Sequence, residues 1–96
     1  MNEFHLTIRV ATPGDVRAVE RLAALDSAPR FNGRVLLAEA DGELVAAISL
    51  VDGAVIADPF KPTAEIVRLL RLRRYQIARH ADDARLSSLP IAAPAH

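Results

Sequence analysis

Two Asp-Gly pairs, Asp41-Gly42 and Asp52-Gly53, separate three short apolar runs in the middle of the chain. Asp-Gly between apolar runs favours a tight two-residue turn, because both residues tolerate positive φ. The pattern predicts a three-stranded antiparallel meander over Val35–Ala40, Glu43–Val51 and Ala54–Ala57. With a two-residue turn at each Asp-Gly, Val35 opposes Ile48, Leu37 opposes Ala46 and Leu50 opposes Val55. One face then carries Val35, Leu37, Leu44, Ile48, Leu50 and Val55, and the other Leu36, Ala38, Val45, Ala47, Ser49, Val51 and Ile56. Both faces are apolar, so each needs cover. The second has the smaller side chains and invites the closer approach of a helix.

Before the meander, Leu6, Ile8 and Val10 alternate with Thr7 and Arg9, the period of a strand with one covered face. Thr12-Pro13-Gly14-Asp15 follows: an N-cap, a proline suited to the first helical position, and an acid placed for a capping box. The helix runs to about Asp26, with Val16, Val19, Leu22 and Ala23 on one arc, and Ser27-Ala28-Pro29 breaks it. Residues 30–33 read as loop. After the meander, Asp58 to Pro62 form an irregular connection and Thr63 caps a second helix from Ala64 to about His80. Ile66, Leu69, Leu70 and Ile77 share one arc of that helix. Residues 1–80 are expected to form one domain of the α+β class, with about four strands in a mainly antiparallel sheet and helices packed on it. Residues 81–96, rich in Ala, Pro and Ser, are expected to be a loose tail.

The absence of cysteine excludes disulfides and thiolate chemistry. The sequence lacks the pattern of a secretory leader and any apolar run of about 20 residues, so a cytoplasmic location is expected. Twelve cations balance twelve acids, which gives no global pull toward nucleic acid or a membrane. The distribution is uneven, because the second helix carries Arg68, Arg71, Arg73, Arg74 and Arg79. Arg68, Arg71, Tyr75 and Arg79 fall on the side away from Ile66, Leu70 and Ile77, a basic face suited either to solvent or to phosphates. Arg73 falls inside the apolar arc, where it either snorkels, pairs with Glu65 or Asp26, or faces another subunit. His5, His80 and His96 share no ligand spacing, and His80 with Asp82 and Asp83 reads as a solvated helix end, not a metal site.

The stretch Ile8-Arg9-Val10-Ala11-Thr12-Pro13-Gly14-Asp15 resembles the I-R-x-A-T-x-x-D opening of the Gcn5-related N-acetyltransferase (GNAT) superfamily. Val35 to Ala46, with Ala38-Glu39 ahead of Asp41-Gly42, is similar to that superfamily's V-A-E-x-D-G hairpin. The resemblance spans roughly residues 6–80 and implies the N-terminal half of such a domain. It also implies an acetyl-CoA site, built on a glycine-rich Q/R-x-x-G-x-G/A loop after the fourth strand. Here that stretch is Asp58-Pro59-Phe60-Lys61-Pro62-Thr63-Ala64-Glu65. It has no glycine to let the backbone approach a pyrophosphate, two prolines without N–H donors, and acids at both ends. Only sixteen residues follow His80, with no pattern for the fifth strand or the family's catalytic tyrosine, and Tyr75 occupies no motif position. No catalytic, cofactor-binding or metal-binding residue is carried over.

The expectation is therefore a non-catalytic GNAT-like module for homodimerisation or binding, without cofactor. The alternative is an acetyl-CoA-dependent N-acetyltransferase whose site a second subunit completes. A further alternative is binding of nucleic acid or a protein through the Arg face. The homodimer is expected to use the second helix, the edge Ala54, Val55, Ile56 and Ala57, or both; that edge is an apolar run with no charge or interior proline. Arg9 and His5 are expected to guard the opposite edge.

Overall fold

The computed structural model describes residues 5–28, 31 and 33–87, with side chains to residue 81. Strand β1 spans Leu6–Val10. A 3-10 turn over Pro13–Asp15 leads into helix α1, Val16–Leu25. Strands β2 (Val35–Ala40), β3 (Glu43–Ser49) and β4 (Val55–Ala57) follow, and helix α2 spans Ala64–Ser87. The sheet is antiparallel throughout, in the order β1-β2-β3-β4. This is the α+β architecture that the sequence predicts.

The two helices cover opposite faces. α1 lies over β3 and β4, and α2 over β2 and β3. Under α2, Leu36, Ala38, Val45, Ala46 and Ile48 pack with Ile66 and Leu70. Under α1, Val35, Leu37, Ala47 and Ile56 pack with Leu22 and Ala23. Alanines 38, 46 and 47 have no exposed surface. Their small side chains let both helices come close.

The predicted register is correct only beside the first turn. Asp41 and Gly42 take φ of 52° and 84°, the two positive values of a type I′ turn, and Ala40 opposes Glu43. The pairing then slips: Glu39 opposes Leu44 but Ala38 opposes Ala46, which leaves Val45 as a bulge residue. Beyond it Val35 opposes Ser49, Leu37 opposes Ala47, and Ile48 changes sides relative to the prediction. The second turn is also longer than predicted. The buried Ser49 hydroxyl accepts the N–H groups of Val51 (3.1 Å) and Asp52 (3.2 Å), which curls Leu50 and Val51 out of β3. Ile48, not Leu50, therefore opposes Val55, and β3 ends at Ser49.

α1 ends where expected, by a Schellman cap. The Ala28 N–H donates to the Ala23 carbonyl (2.9 Å) and the Ser27 N–H to that of Ala24 (3.2 Å), with Ser27 at φ 51°. Val16, placed on its apolar arc, is 52% exposed. α2 does not stop at His80. Neither Gly nor Pro intervenes until Pro90, so nothing in residues 81–87 breaks the helix. The rest of the expected tail, 88–96, lies outside the described residues.

Candidate functional site

The motif residues of the first strand and turn meet in one network. Arg9 projects toward the α1 face and donates two hydrogen bonds to Asp15, both at 2.8 Å, and two to Glu39 at 3.3 Å. Asp15 also accepts the Thr12 N–H at 2.7 Å and the Thr12 hydroxyl at 3.0 Å. The sequence expects this acid at the helix start, and the network adds a bidentate arginine. The Arg9 guanidinium, with the Thr12 amide behind it, holds the Asp15 carboxyl well below the usual carboxylate range. Hydrogen bonds to Asp15 and then Glu39 raise the Arg9 pKa. The network ties β1, α1 and β2 together.

A cleft of about 450 Å³ opens beside it, lined in part by Val19, Ala23, Phe31 and Val35, with Thr12 and Asp15 among its polar groups. Its walls suit a small apolar group. Asp15 is held ionised by Arg9, which makes it a poor proton acceptor.

The β4–α2 connection is the place where the resemblance would seat a pyrophosphate. Asp58 organises it. The side chain is buried, and its Oδ1 accepts the Phe60 N–H at 2.9 Å. Its carbonyl accepts the Lys61 N–H at 3.2 Å, and its own N–H donates to the Val45 carbonyl at 2.9 Å. Pro59 and Pro62 have no N–H. The amides of residues 58–62 are thus absent or engaged. Lys61 reaches Glu43 at 3.1 Å, and the adjoining hollow of about 320 Å³ includes Asp41 and Glu43 in its wall. Its charge is unfavourable for an anion.

The candidate dimer edge is less open than its sequence implies. Ile56 is buried under α1, Val55 and Ala57 are half-buried, and only Ala54 is exposed. Asp26, at the C-cap of α1, accepts the Ala57 N–H at 3.1 Å. Arg68, Arg71, Tyr75 and Arg79, the candidate basic face, are all exposed. The Arg79 guanidinium sits 5.8 Å from the Tyr75 ring centre and donates to its hydroxyl at 3.0 Å, and Arg68 lies 3.5 Å from Glu65. Arg73 is exposed, and neither acid suggested for it is on it: Glu65 faces Arg68 and Asp26 holds Ala57. Arg74 has the structural role. It donates to the Ser49 carbonyl at 3.1 Å and reaches the Val51 carbonyl at 3.5 Å, packing on Gly53. Leu69, placed on the buried arc, is 43% exposed.

Among the described residues no three His, Asp or Glu side chains converge as a metal set, and no helix is long and apolar enough to cross a membrane. The side chains of Asp82 and Asp83, and all of His96, lie outside the described residues. No family model, curated protein or solved structure matches the chain.

Proposed function

We propose that this chain is a non-catalytic domain of GNAT-like design, the N-terminal half of that fold, used for homodimerisation or for binding a partner. The observation that carries the reading is Asp58. A coenzyme pyrophosphate is held by free backbone N–H groups aimed from a loop and a helix N-terminus. Here the buried carboxylate and carbonyl of Asp58 take the amides of Phe60 and Lys61, and prolines occupy two of the remaining positions. An anion seated in that loop would displace those bonds, and the adjoining hollow sets Asp41 and Glu43 against the single cation Lys61. The GNAT likeness itself is supported by the strand and helix order. It is supported too by the way Arg9, Thr12, Asp15 and Glu39, drawn from both resembling motifs, converge on one another.

Thermal melts with acetyl-CoA and with coenzyme A test it. A ligand at a hundred times its Kd would stabilise the fold by about 2.7 kcal/mol. The expected result is no shift at millimolar ligand. A saturable shift would favour an N-acetyltransferase whose site a second subunit completes. Sedimentation at tens of micromolar is expected to report a dimer.

A further inference from the structure

The backbone register identifies which edge of the sheet is available to another chain. The His5 carbonyl accepts the Asp41 N–H and the Ala11 N–H donates to the Val35 carbonyl, both at 2.8 Å. The odd-numbered residues of β1 therefore bond inward to β2. Leu6, Ile8 and Val10 turn their N–H and C=O groups outward, away from the sheet. Neither helix packs extensively against β1. The side chains of these residues lie on the α2 face and are only half-buried.

Of the two residues expected to guard this edge, His5 precedes the strand, its N–H held by Asp41 at 3.0 Å, and Arg9 is turned away from the edge. Arg9 is drawn onto the α1 face by Asp15 and Glu39. The opposite edge is three residues long, and its Ala57 N–H is already taken by Asp26. A bulge-free edge strand whose own charge is drawn to one side is a template for strand pairing.

We infer that β1 pairs with β1 of a second copy of this chain, antiparallel about a two-fold axis at Ile8, joining two four-stranded sheets into one. The occupant follows from self-complementarity. With Ile8 on the axis, Leu6 opposes Val10 of the other copy and Ile8 opposes itself. Every outward N–H and C=O of the three residues then finds a partner. The α2-face side chains form apolar cross-strand pairs of branched residues. On the α1 face Thr7 opposes Arg9, so no like charges meet. Both α2 helices then lie on one face and both α1 helices on the other. The inference rests on the dimer reading above and assigns its surface.

Two variants test it. Ile8→Pro removes an N–H that points away from β2 and that no described residue accepts, a substitution an edge strand tolerates. It is expected to weaken the dimer roughly tenfold or more, through two lost hydrogen bonds across the axis, while circular dichroism stays that of the folded chain. Val55→Pro on the other edge is expected to leave the dimer intact. The chain has no cysteine, so Ile8→Cys offers a second readout that does not depend on tolerance of proline. Oxidation with diamide is expected to yield a disulfide-linked dimer for Ile8→Cys and none for Val55→Cys. A wild-type dimer that survives Ile8→Pro, or an Ile8→Cys chain that does not cross-link, overturns this assignment and leaves the dimer reading standing. A monomeric wild type at tens of micromolar removes both.

Discussion

Leu69 and Leu70 are adjacent on α2, and the helical period puts both on one apolar arc, yet the structure separates them. Leu70 has no exposed surface and sits among Leu36, Ala38, Ile48 and Ile66. Leu69 is 43% exposed. Truncating Leu70 to alanine removes its apolar contacts and leaves a cavity between helix and sheet, at a cost of about 3 kcal/mol. Unfolding entropy of roughly 2.1 cal/mol/K per residue, over 96 residues, comes to about 0.2 kcal/mol/K. Leu70→Ala should therefore lower Tm by about 15 °C. That is a large share of the roughly 5–14 kcal/mol a domain this size holds. Leu69→Ala keeps the core closed and should cost under about 1 kcal/mol, or less than about 5 °C. Melts followed at 222 nm, with urea titrations for the free energies, give both numbers. Equal losses, or a larger loss at Leu69, would mean that α2 is rotated from the orientation described, and the packing argument would fail.

Three further outcomes follow from the backbone and its charges. Gly33→Ala should destabilise by about 1–3 kcal/mol in a urea melt, because φ is +80° and the new Cβ would lie 2.7 Å from the Val51 side chain. Ser27→Gly should stabilise by about 0.5–1 kcal/mol, since exposed Ser27 holds the left-handed cap of α1 at φ 51°; an unchanged midpoint would count against the Schellman geometry. The carboxyls of Asp15, beside Arg9, and of Asp52, bonded to the Ala54 N–H and then the Ser49 hydroxyl, are both depressed. A depressed folded-state pKa contributes stability in full above the unfolded carboxylate pKa of about 3.9 and loses it as pH falls through the folded value. The wild type should weaken steadily below about pH 4, and Asp15→Asn should flatten that slope while lowering stability at neutral pH.

How much of this the residues announce depends on whether a signal is local. The Asp41-Gly42 turn, the bounds of β2 and the Thr12–Asp15 helix start depend on neighbours a few positions apart, and each is where the sequence puts it. The Val45 bulge is not local. Leu44-Val45-Ala46-Ala47 alternates no differently with or without an extra residue. One unseen residue moves every later side chain of β3 to the other face. Ser49 carried a usable hint, because a hydroxyl two and three residues before free amides favours an ST turn over a continued strand. Arg9 shows the same limit at the candidate surface. A charge in an edge strand reads as a guard until Asp15 and Glu39, 6 and 30 residues away, are found to hold it on the other side.

The openness of β1 and the closure of β4 follow from the width of a helix. A helix about 10 Å across covers roughly two strands spaced about 4.8 Å apart. With α1 over β3 and β4 and α2 over β2 and β3, β3 is covered twice and β1 scarcely at all. Residues Val45–Ser49 of β3 are buried without a break, whereas no residue of β1 is fully buried. The path of α1 toward β4 also delivers Asp26 to the Ala57 N–H. Asp26→Ala should therefore do two things. It should cost about 1 kcal/mol for the lost hydrogen bond. It should also free β4 to pair, and a chain with two available edges extends end to end instead of closing as a dimer. Light scattering should show species larger than the dimer growing with concentration in Asp26→Ala, and their loss when Ile8→Pro is added. An Asp26→Ala chain with unchanged stability and unchanged mass would show that α1 does not close this edge.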